Sequence, residues 1–294
     1  MRQMQTSESE DFQNRWRPWR SLLDDETPVV REALVDQLKL FPEEGRLFLQ
    51  QMSEEDDPIS ARHAFELIKS LGWVDGISDF MAFIRSQRYE LETGWFLLDR
   101  TVHPAFELSS ATFFLDKLSR RCRELLTPPM SPREMCYVLN RVLFHEYGFR
   151  GAGKDFENPE NSFLHRVIER RRGLPITMSV LYLLIARRLS FDLEPIGLPG
   201  RFMVGCFSEE KPFYVDPWSG GKIHEVEDME VYLEDYSIED STSALLPVTV
   251  ADTLVRGCRN LVHHYILAED EPKSKLFNSF VLEFERVRRI ATSA

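Results

Sequence analysis

Arginines are concentrated in one part of this acidic chain. The formal net charge is −12, yet seven guanidinium groups fall within 36 residues: Arg166, Arg170, Arg171, Arg172, Arg187, Arg188 and Arg201. Guanidinium groups bind carboxylates and phosphates through paired hydrogen bonds. One interpretation is therefore an anion site that uses Arg172. The alternative is a set of solvated helix faces whose arginines pair with the acid-rich segment 224–240.

The apolar run beside these arginines predicts a buried helix. Residues 176–189 carry apolar side chains on nearly every face, which is typical of a central, surrounded helix. Pro175 suits its first turn, and Gly173 allows a sharp bend before it. The first turn of such a helix has unpaired N–H groups and a partial positive charge, so it favours an anion or a thiolate. We expect Asn161 to cap or line that site and Trp218 to frame its rim.

Cysteine and histidine offer a second kind of chemistry. Cys206 lies in a strand-like run and His224 follows it, so a cysteine–histidine pair is one interpretation. Alternation places Cys206 on the same face as Phe202 and Val204, which instead predicts a packed core thiol. The 4 cysteines and 7 histidines show no metal-ligand spacing, so we predict no metal and no cofactor.

The elements that must position these residues are helices on both sides of a few strands. Amphipathic helices are predicted within residues 89–119 and from Ser131, and residues 163–173 read as a short helix that ends at Gly173. After the buried helix, three short runs predict an antiparallel meander: EPIGL, RFMVGCF and KPFYVDPW. The C-terminal segment predicts a helical hairpin. This order of elements indicates the α+β class.

A weak internal repeat lies near the N-terminus. The pattern Asp-x5-Arg-x-Ala occurs at residues 25–33 and again at 56–64, which is 31 residues later, and Leu34 and Phe65 keep the same register. Each copy has an acidic residue and a proline at a helix start. The pattern resembles a HEAT-type helical repeat. The alternative is a chance likeness between two helices.

Charge and hydropathy limit the classes of partner. An acidic chain repels phosphate backbones, so we predict no nucleic-acid partner. The longest unbroken apolar run, residues 180–186, is far shorter than the roughly 20 residues that span a bilayer. With no secretion signal and no disulfide-like cysteine spacing, we expect a cytoplasmic protein with no membrane partner.

Three motifs resemble the SirB (invasion-regulator) branch of the transglutaminase-like superfamily: ENPENSFLHRVIERRRGLPITMSVLYLLIARRL, GLPGRFMVGCF and YVDPWSGGKI. The similarity covers about residues 90–290 and leaves out the N-terminal repeat. It implies a papain/transglutaminase-like core, in which a central buried helix lies on a small antiparallel sheet flanked by helical layers. The closing hairpin is similar to the TPR-like C-terminal segment of that branch.

The resemblance also assigns three catalytic positions. In the superfamily a cysteine begins the central helix, a histidine follows on a strand and an aspartate on the next strand, as nucleophile, base and base-orienting group. The matching residues here, called the triad positions below, are Pro175, Arg201 and Asp216. Proline has no nucleophilic atom and arginine stays protonated, so we expect an inert Arg201–Asp216 ion pair. The SirB branch itself has histidine in the second position, from which Arg201 departs.

Two functions remain open, and whether the chain is an enzyme depends on them. The first is a non-catalytic scaffold that binds another protein or peptide, with a small anion at the head of the 176–189 helix. The second is a cysteine-dependent amide hydrolase or acyltransferase with a displaced nucleophile, which the retained Asp216 motivates. The predicted organisation is a flexible tail, a HEAT-like region, a transglutaminase-like core and a TPR-like hairpin: residues 1–16, 17–85, 86–248 and 249–294.

Overall fold

The chain divides into two compact units, residues 1–75 and 76–294. The computed structural model describes residues 16, 18–25, 27–53, 57–71, 73, 76–127, 129–238 and 240–293. All but the last residue of the predicted N-terminal tail therefore lies outside the described residues. Within the described ranges, no helix combines the length and the apolar character that crossing a bilayer requires.

The first unit is helical. Its helices begin at prolines, which suit a first turn because their missing N–H costs no hydrogen bond there. They are α1 (Pro28–Leu40), α2 (Pro42–Ser53) and α3 (Pro58–Ser70). Their apolar faces share one core, which includes Leu34, Leu38, Phe48, Leu49 and Ala64.

The sequence repeat has a different period in the structure. Asp57 accepts the Ile59 N–H at the start of α3, and Asp56, which the sequence pattern uses, lies outside the described residues. Because Pro28 and Pro58 begin α1 and α3, structurally equivalent positions are 30 residues apart, not 31. Leu34 is buried whereas Phe65 is exposed, so the predicted register is wrong.

The second unit contains the sheet and the other helices. Its helices before the sheet are α4 (Gly76–Ser86), α5 (Leu91–Arg100), α6 (Leu108–Leu125), α7 (Pro132–Asn140), which continues as a π-helix (Arg141–Glu146), α8 (Leu164–Arg170) and α9 (Pro175–Arg188). Those after it are α10 (Val226–Glu234), α11 (Ser241–Ala244), α12 (Val250–Leu267) and α13 (Glu271–Ser293). Helices α12 and α13 pack together as the hairpin that the sequence predicts.

Helix α9 is the centre of this unit. Every side chain from Ile176 to Ala186 is buried, as its uniformly apolar sequence predicts. It packs against α6, α8, α7 and the sheet. Tyr182 is polar only at its tip, and its hydroxyl donates to the Cys136 carbonyl at 3.2 Å or to Asn140 Oδ1 at 3.1 Å. The helix therefore fixes its neighbours through both apolar and polar contacts.

The main sheet is an antiparallel meander in the order β3-β4-β5-β6. Its strands are Glu194–Leu198, Arg201–Cys206, Phe213–Asp216 and Lys222–His224. The first three match the predicted runs, and β6 is an addition. A separate parallel pair joins β1 (Arg150–Gly151) to β2 (Arg172–Gly173), just before α9.

The end of α8 differs from the prediction. Gly173 was expected to end this helix, but α8 stops at Arg170 and Arg171 takes the left-handed conformation at φ 57°. Gly173 serves another purpose. A Cβ there would lie 2.7 Å from Thr177 Oγ1, so only glycine permits the close approach of β2 to the first turn of α9.

Candidate functional site

The head of α9 is closed by its own chain. Pro175 occupies the first helical position after Leu174, whose backbone is extended. The Leu174 N–H donates to Thr177 Oγ1 at 2.9 Å, and the Thr177 hydroxyl donates to the Asn161 carbonyl at 2.9 Å. Thr177 and Asn161 are fully buried. At Pro175, the position that the resemblance assigns to the thiol, the chain has a proline ring beside a hydrogen-bonded turn.

Arg201 and Asp216 form the predicted pair on neighbouring strands. Arg201 Nη1 lies 3.7 Å from Asp216 Oδ2; the arginine side chain is 39% exposed and the aspartate 4%. The guanidinium also lies over the Tyr232 ring, 4.8 Å from its centroid. Solvent around the arginine weakens the attraction, so the pair contributes at most about 1 kcal/mol to stability.

The Asp216 carboxylate is engaged chiefly by the backbone that follows it. Oδ1 accepts the Trp218 and Ser219 N–H groups at 3.1 and 3.2 Å, and Oδ2 accepts the Ser219 hydroxyl at 2.8 Å. These bonds cap the short 3-10 turn Pro217–Ser219. The carboxylate that would orient a histidine in the superfamily thus acts here as a helix cap.

Trp218 links this turn to the head of α9. Its indole packs directly on Gly151, where an added Cβ would lie 2.4 Å from Trp218 Nε1. Gly151 is paired with Gly173 in the β1–β2 ladder, two residues before Pro175. The structure therefore places Trp218 beside the β1–β2 ladder that precedes α9. Gly151 was not singled out in the sequence, because only the three-dimensional contact shows that a side chain is excluded.

Asn161 and Arg172 lie near the head of α9 but take different roles. The Asn161 amide donates to the Asp155 carbonyl, and its Oδ1 accepts from Arg170 Nη1 at 3.1 Å. Arg172 lies on β2 opposite Arg150. Burial raises the pKa of Asp155, but hydrogen bonds from Asn158 and Arg170 and the charge of Arg172 bring that pKa below its usual value. A carboxylate of the chain itself is therefore the anion beside these arginines.

The seven arginines do not form one concave cluster. Arg187 and Arg188 lie at the C-terminal end of α9, roughly 20 Å from its head for a helix of this length. Five of the seven, all but Arg171 and Arg172, form ion pairs among the described residues. Their partners are Asp155, Glu160, Glu169, Glu90, Glu92, Asp116 and Asp216. Among the described residues none of these partners belongs to segment 224–240, which contributes only the Tyr232 ring. The alternative of ion pairs is observed, but its proposed partners were wrong.

Cys206 and His224 cannot form a catalytic pair in this sheet. Cys206 lies opposite Phe213, and His224 lies opposite Tyr214. Because directly opposed residues share a face and successive residues alternate, Cys206 and His224 lie on opposite faces. Cys206 is fully buried with Phe202 and Val204, as alternation predicts. The sheet thus keeps this thiol and this imidazole apart.

The other thiols are also buried, and the described residues hold no cluster of metal-ligating side chains. All four cysteines are free and buried. Burial raises the pKa of Cys122 and of Cys136 to about 12, which disfavours the thiolate at neutral pH. Among the described residues, no group of three histidine, cysteine or acidic side chains could hold a metal ion.

A histidine–carboxylate pair lies elsewhere, between α5 and α8. Asp99 is fully buried and accepts the Leu164 and His165 N–H groups at 2.9 and 2.7 Å. The His165 ring also bonds to it, with Nδ1 2.9 Å from Asp99 Oδ2. This carboxylate caps the start of α8 and holds the buried His165 ring against it.

These features define an α+β protein with a buried helix on a small antiparallel sheet and no thiol–imidazole pair at the triad positions. A family model of the transglutaminase-like superfamily matches residues 110–259, which is about half of the chain. The chain belongs to the transglutaminase-like superfamily.

Relatives occur in bacteria and in animals. A UPF0162 protein of Xylella fastidiosa (strain Temecula1) is 34% identical over 136 residues, which are 44% of this chain and 48% of that protein. A UPF0162 protein of Vibrio cholerae is 27% identical over 132 residues, 45% and 49% of the two chains. F-box only protein 21 of Homo sapiens is 35% identical over 135 residues, 42% of this chain and 21% of that protein.

The chain thus spans about half the length of the bacterial relatives that it matches and about a fifth of F-box only protein 21. No solved structure matches the chain.

Proposed function

We propose that this chain is a transglutaminase-like protein without acyl-transfer chemistry, which acts as a protein-binding or regulatory scaffold. The observation that carries the proposal is the state of the triad positions. Pro175 supplies no nucleophile, and Arg201 is a cation paired with Asp216 at 3.7 Å. Both Asp216 carboxylate oxygens accept hydrogen bonds from Trp218 and Ser219. No proton acceptor therefore faces a nucleophile at these three positions.

The alternative, a cysteine-dependent hydrolase or acyltransferase with a displaced nucleophile, has less support. Its best candidate pair, Cys206 and His224, lies on opposite faces of the sheet. A catalytic cysteine also needs solvent access and a lowered pKa. All four cysteines of this chain are buried and therefore lack solvent access. Burial also raises, and does not lower, the pKa of Cys122 and Cys136.

Similarity to F-box only protein 21 supports a role in protein interaction. Within this proposal, the chain belongs to the SirB branch and functions in the cytoplasm. Residues 17–85 and 249–294 serve as HEAT-like and TPR-like contact surfaces around a papain-like core at 86–248. The anion site at the head of α9 is a weaker part of the proposal, because the Asn161 side chain is already bonded to Asp155 and Arg170.

The absence of acyl transfer can be tested with dansylcadaverine and dimethylcasein as generic amine and glutamine substrates. We expect no incorporation above a protein-free blank for the wild type, Asp216→Asn or Arg201→Gln. Iodoacetamide labelling, followed by mass spectrometry, should modify all four cysteines much more slowly in the native protein than in urea. An incorporation rate that Asp216→Asn abolishes, or one cysteine labelled selectively in the native state, would contradict the proposal.

The binding half of the proposal has its own test. The full chain, carrying an affinity tag, should co-purify with a stoichiometric protein partner whose identity is then confirmed with purified components. The same purification after removal of residues 1–85 shows whether the HEAT-like region makes the contact. Asp216→Asn is the matched control, because scaffold binding should not depend on that carboxylate. A chain that forms no complex with any purified candidate, in either form, counts against a scaffold.

A further inference from the structure

A candidate site for a small molecule lies between the C-terminal hairpin and the sheet. It is a cavity of about 390 Å³, within the range of small-molecule sites. Its walls are mainly apolar and come from β4, from α12 and from α13, with Phe202, Val255, Phe284 and Val287 among them. A cavity of this size with mainly apolar walls suits a hydrocarbon or aromatic group.

Three guanidinium groups line the cavity, and two of them are neutralised. Arg259 pairs with Glu285 at 3.2 Å, and Arg288 pairs with Asp252. Both carboxylates also line the cavity. The third, Arg256, has no carboxylate within ion-pair distance among the described residues. The cavity therefore carries one uncompensated positive charge.

Arg256 is held in place by the sheet. Its Nη2 donates to the Arg201 carbonyl at 2.8 Å, and its guanidinium lies 5.5 Å from the centre of the Phe202 ring. Gly197, the residue opposite Phe202 on β3, lies beside it: an added Cβ would be 3.6 Å from Arg256 Nη1, an ordinary contact. One edge of the guanidinium is thus fixed, and its other N–H groups remain for a ligand.

The electrostatic surroundings agree with this geometry. Burial lowers the pKa of Arg256, and the only opposing influence is the Tyr232 hydroxyl, not a carboxylate. A half-buried cation without a counter-ion is costly, and a bound anion would remove that cost. A guanidinium edge matches a carboxylate in shape, through two parallel N–H···O bonds.

We propose that this cavity binds a small monocarboxylate with an apolar body, whose carboxylate pairs with Arg256 and whose body contacts the Phe202, Val255 and Phe284 walls. One excess charge calls for one negative charge, which favours a monocarboxylate over a phosphate dianion. The lining of this cavity includes none of the triad positions, although Arg256 bonds to the Arg201 carbonyl. The proposal does not depend on the scaffold function proposed above.

The test uses the full chain, with octanoate as the probe. Isothermal titration calorimetry measures the binding. Octanoate should bind roughly tenfold or more tightly than octanol, which is neutral, or octylamine, which is positively charged; all three have the same number of carbon atoms. A tenfold ratio corresponds to about 1.4 kcal/mol. Equal affinity for octanoate and octanol would show an apolar cavity without an anion site. Absence of octanoate binding would overturn the proposal outright.

Variants assign the charge to one arginine. Arg256→Gln should weaken octanoate binding by roughly tenfold or more, to the level of octanol. Arg259→Gln is the matched control, because that guanidinium lines the same cavity but already pairs with Glu285; it should change the affinity by less than about threefold. Equal losses in both variants would overturn the assignment.

A third variant covers the case in which Arg256→Gln does not fold. Ala251→Phe narrows the cavity from α12 and leaves Arg256 in place. It should abolish octanoate binding because the apolar body no longer fits, whereas full retention would place the ligand elsewhere. The two proposals can fail separately, because dansylcadaverine incorporation measures acyl transfer and calorimetry measures octanoate binding.

Discussion

Asp216 has a structural role that needs no histidine. Its oxygens cap the turn after β5 through three hydrogen bonds, and its partner across the sheet is a guanidinium. An aspartate in this setting supports the local backbone whether or not a histidine is present. Retention of the residue therefore does not argue for retention of the chemistry.

The cap makes Asp216→Ala destabilising. Loss of three acceptor contacts at a buried site should lower the free energy of unfolding by about 2 kcal/mol. Asp216→Asn keeps one acceptor oxygen for the backbone N–H groups and loses mainly the weak ion pair, so its cost should be about 1 kcal/mol. Urea denaturation measures both. An alanine variant as stable as the wild type would show that the carboxylate is not a cap.

His264 makes stability depend on pH. It is buried on α12, and Nδ1 has no hydrogen-bond partner among the described residues. Burial, with a smaller contribution from the charge of His263, lowers its pKa, which Glu157 only partly opposes. The unfolded imidazole, with a pKa of about 6.5, therefore takes up its proton first as the pH falls. The contribution of neutral His264 to the free energy of unfolding is complete above the unfolded pKa of about 6.5. It is lost as the pH falls from there through the lower pKa of the folded state.

We expect the free energy of unfolding to decrease from neutral to mildly acidic pH, and to decrease less in His264→Gln. His145→Gln, which alters an exposed ring, is the control and should follow the wild-type curve. Half-buried His103 and buried His224 also have lowered pKa values, mainly through burial, so part of the dependence should persist. Identical curves for wild type and His264→Gln would exclude this origin.

Residue-level pairing was predictable only at short range. The Arg201–Asp216 contact was predicted because the resemblance assigned both residues to triad positions on adjacent strands of a meander. Arg188 pairs with Glu92, 96 residues away, and no pattern in either segment points to the other. The sequence predicted ion pairs for the arginines but assigned them to the nearest acid-rich segment, which is why the partners were wrong.

At the scale of elements, apolar periodicity carried most of the information. Helix α9 was predicted at 176–189 and observed at Pro175–Arg188, because a run that is apolar on every face has few other uses. The two-residue strands β1 and β2 and the three-residue β6 were missed. Such short strands have no alternation to detect, and tertiary contacts alone create them.

Helix α9 should be the most mutation-sensitive element. Leu181 is fully buried, so Leu181→Ala should lower the free energy of unfolding by about 2–5 kcal/mol through lost burial and a residual cavity. Leu282→Ala is a matched control on α13, where the leucine is 52% exposed, and should change stability by less than about 0.5 kcal/mol. Similar losses in the two variants, measured by urea denaturation, would argue against α9 as the centre of the core.

The whole molecule has separate hydrophobic cores. The large core of the second unit draws its described residues from Ile77 onward, and that of the first unit draws them from Trp16 to Trp73. The family match also starts later, at residue 110. Each unit therefore has the apolar contacts that an independently folding domain requires.

A fragment of residues 76–294 should consequently fold without the first unit. We expect a cooperative urea transition, with the near-ultraviolet circular dichroism of a packed core and no binding of the dye ANS. The full chain should show this same transition, because the large core contains no described residue before Ile77. A fragment that binds ANS and lacks a cooperative transition would mean that the first unit stabilises the second. The Leu181→Ala substitution should shift the midpoint equally in fragment and full chain, which ties the transition to the α9 core.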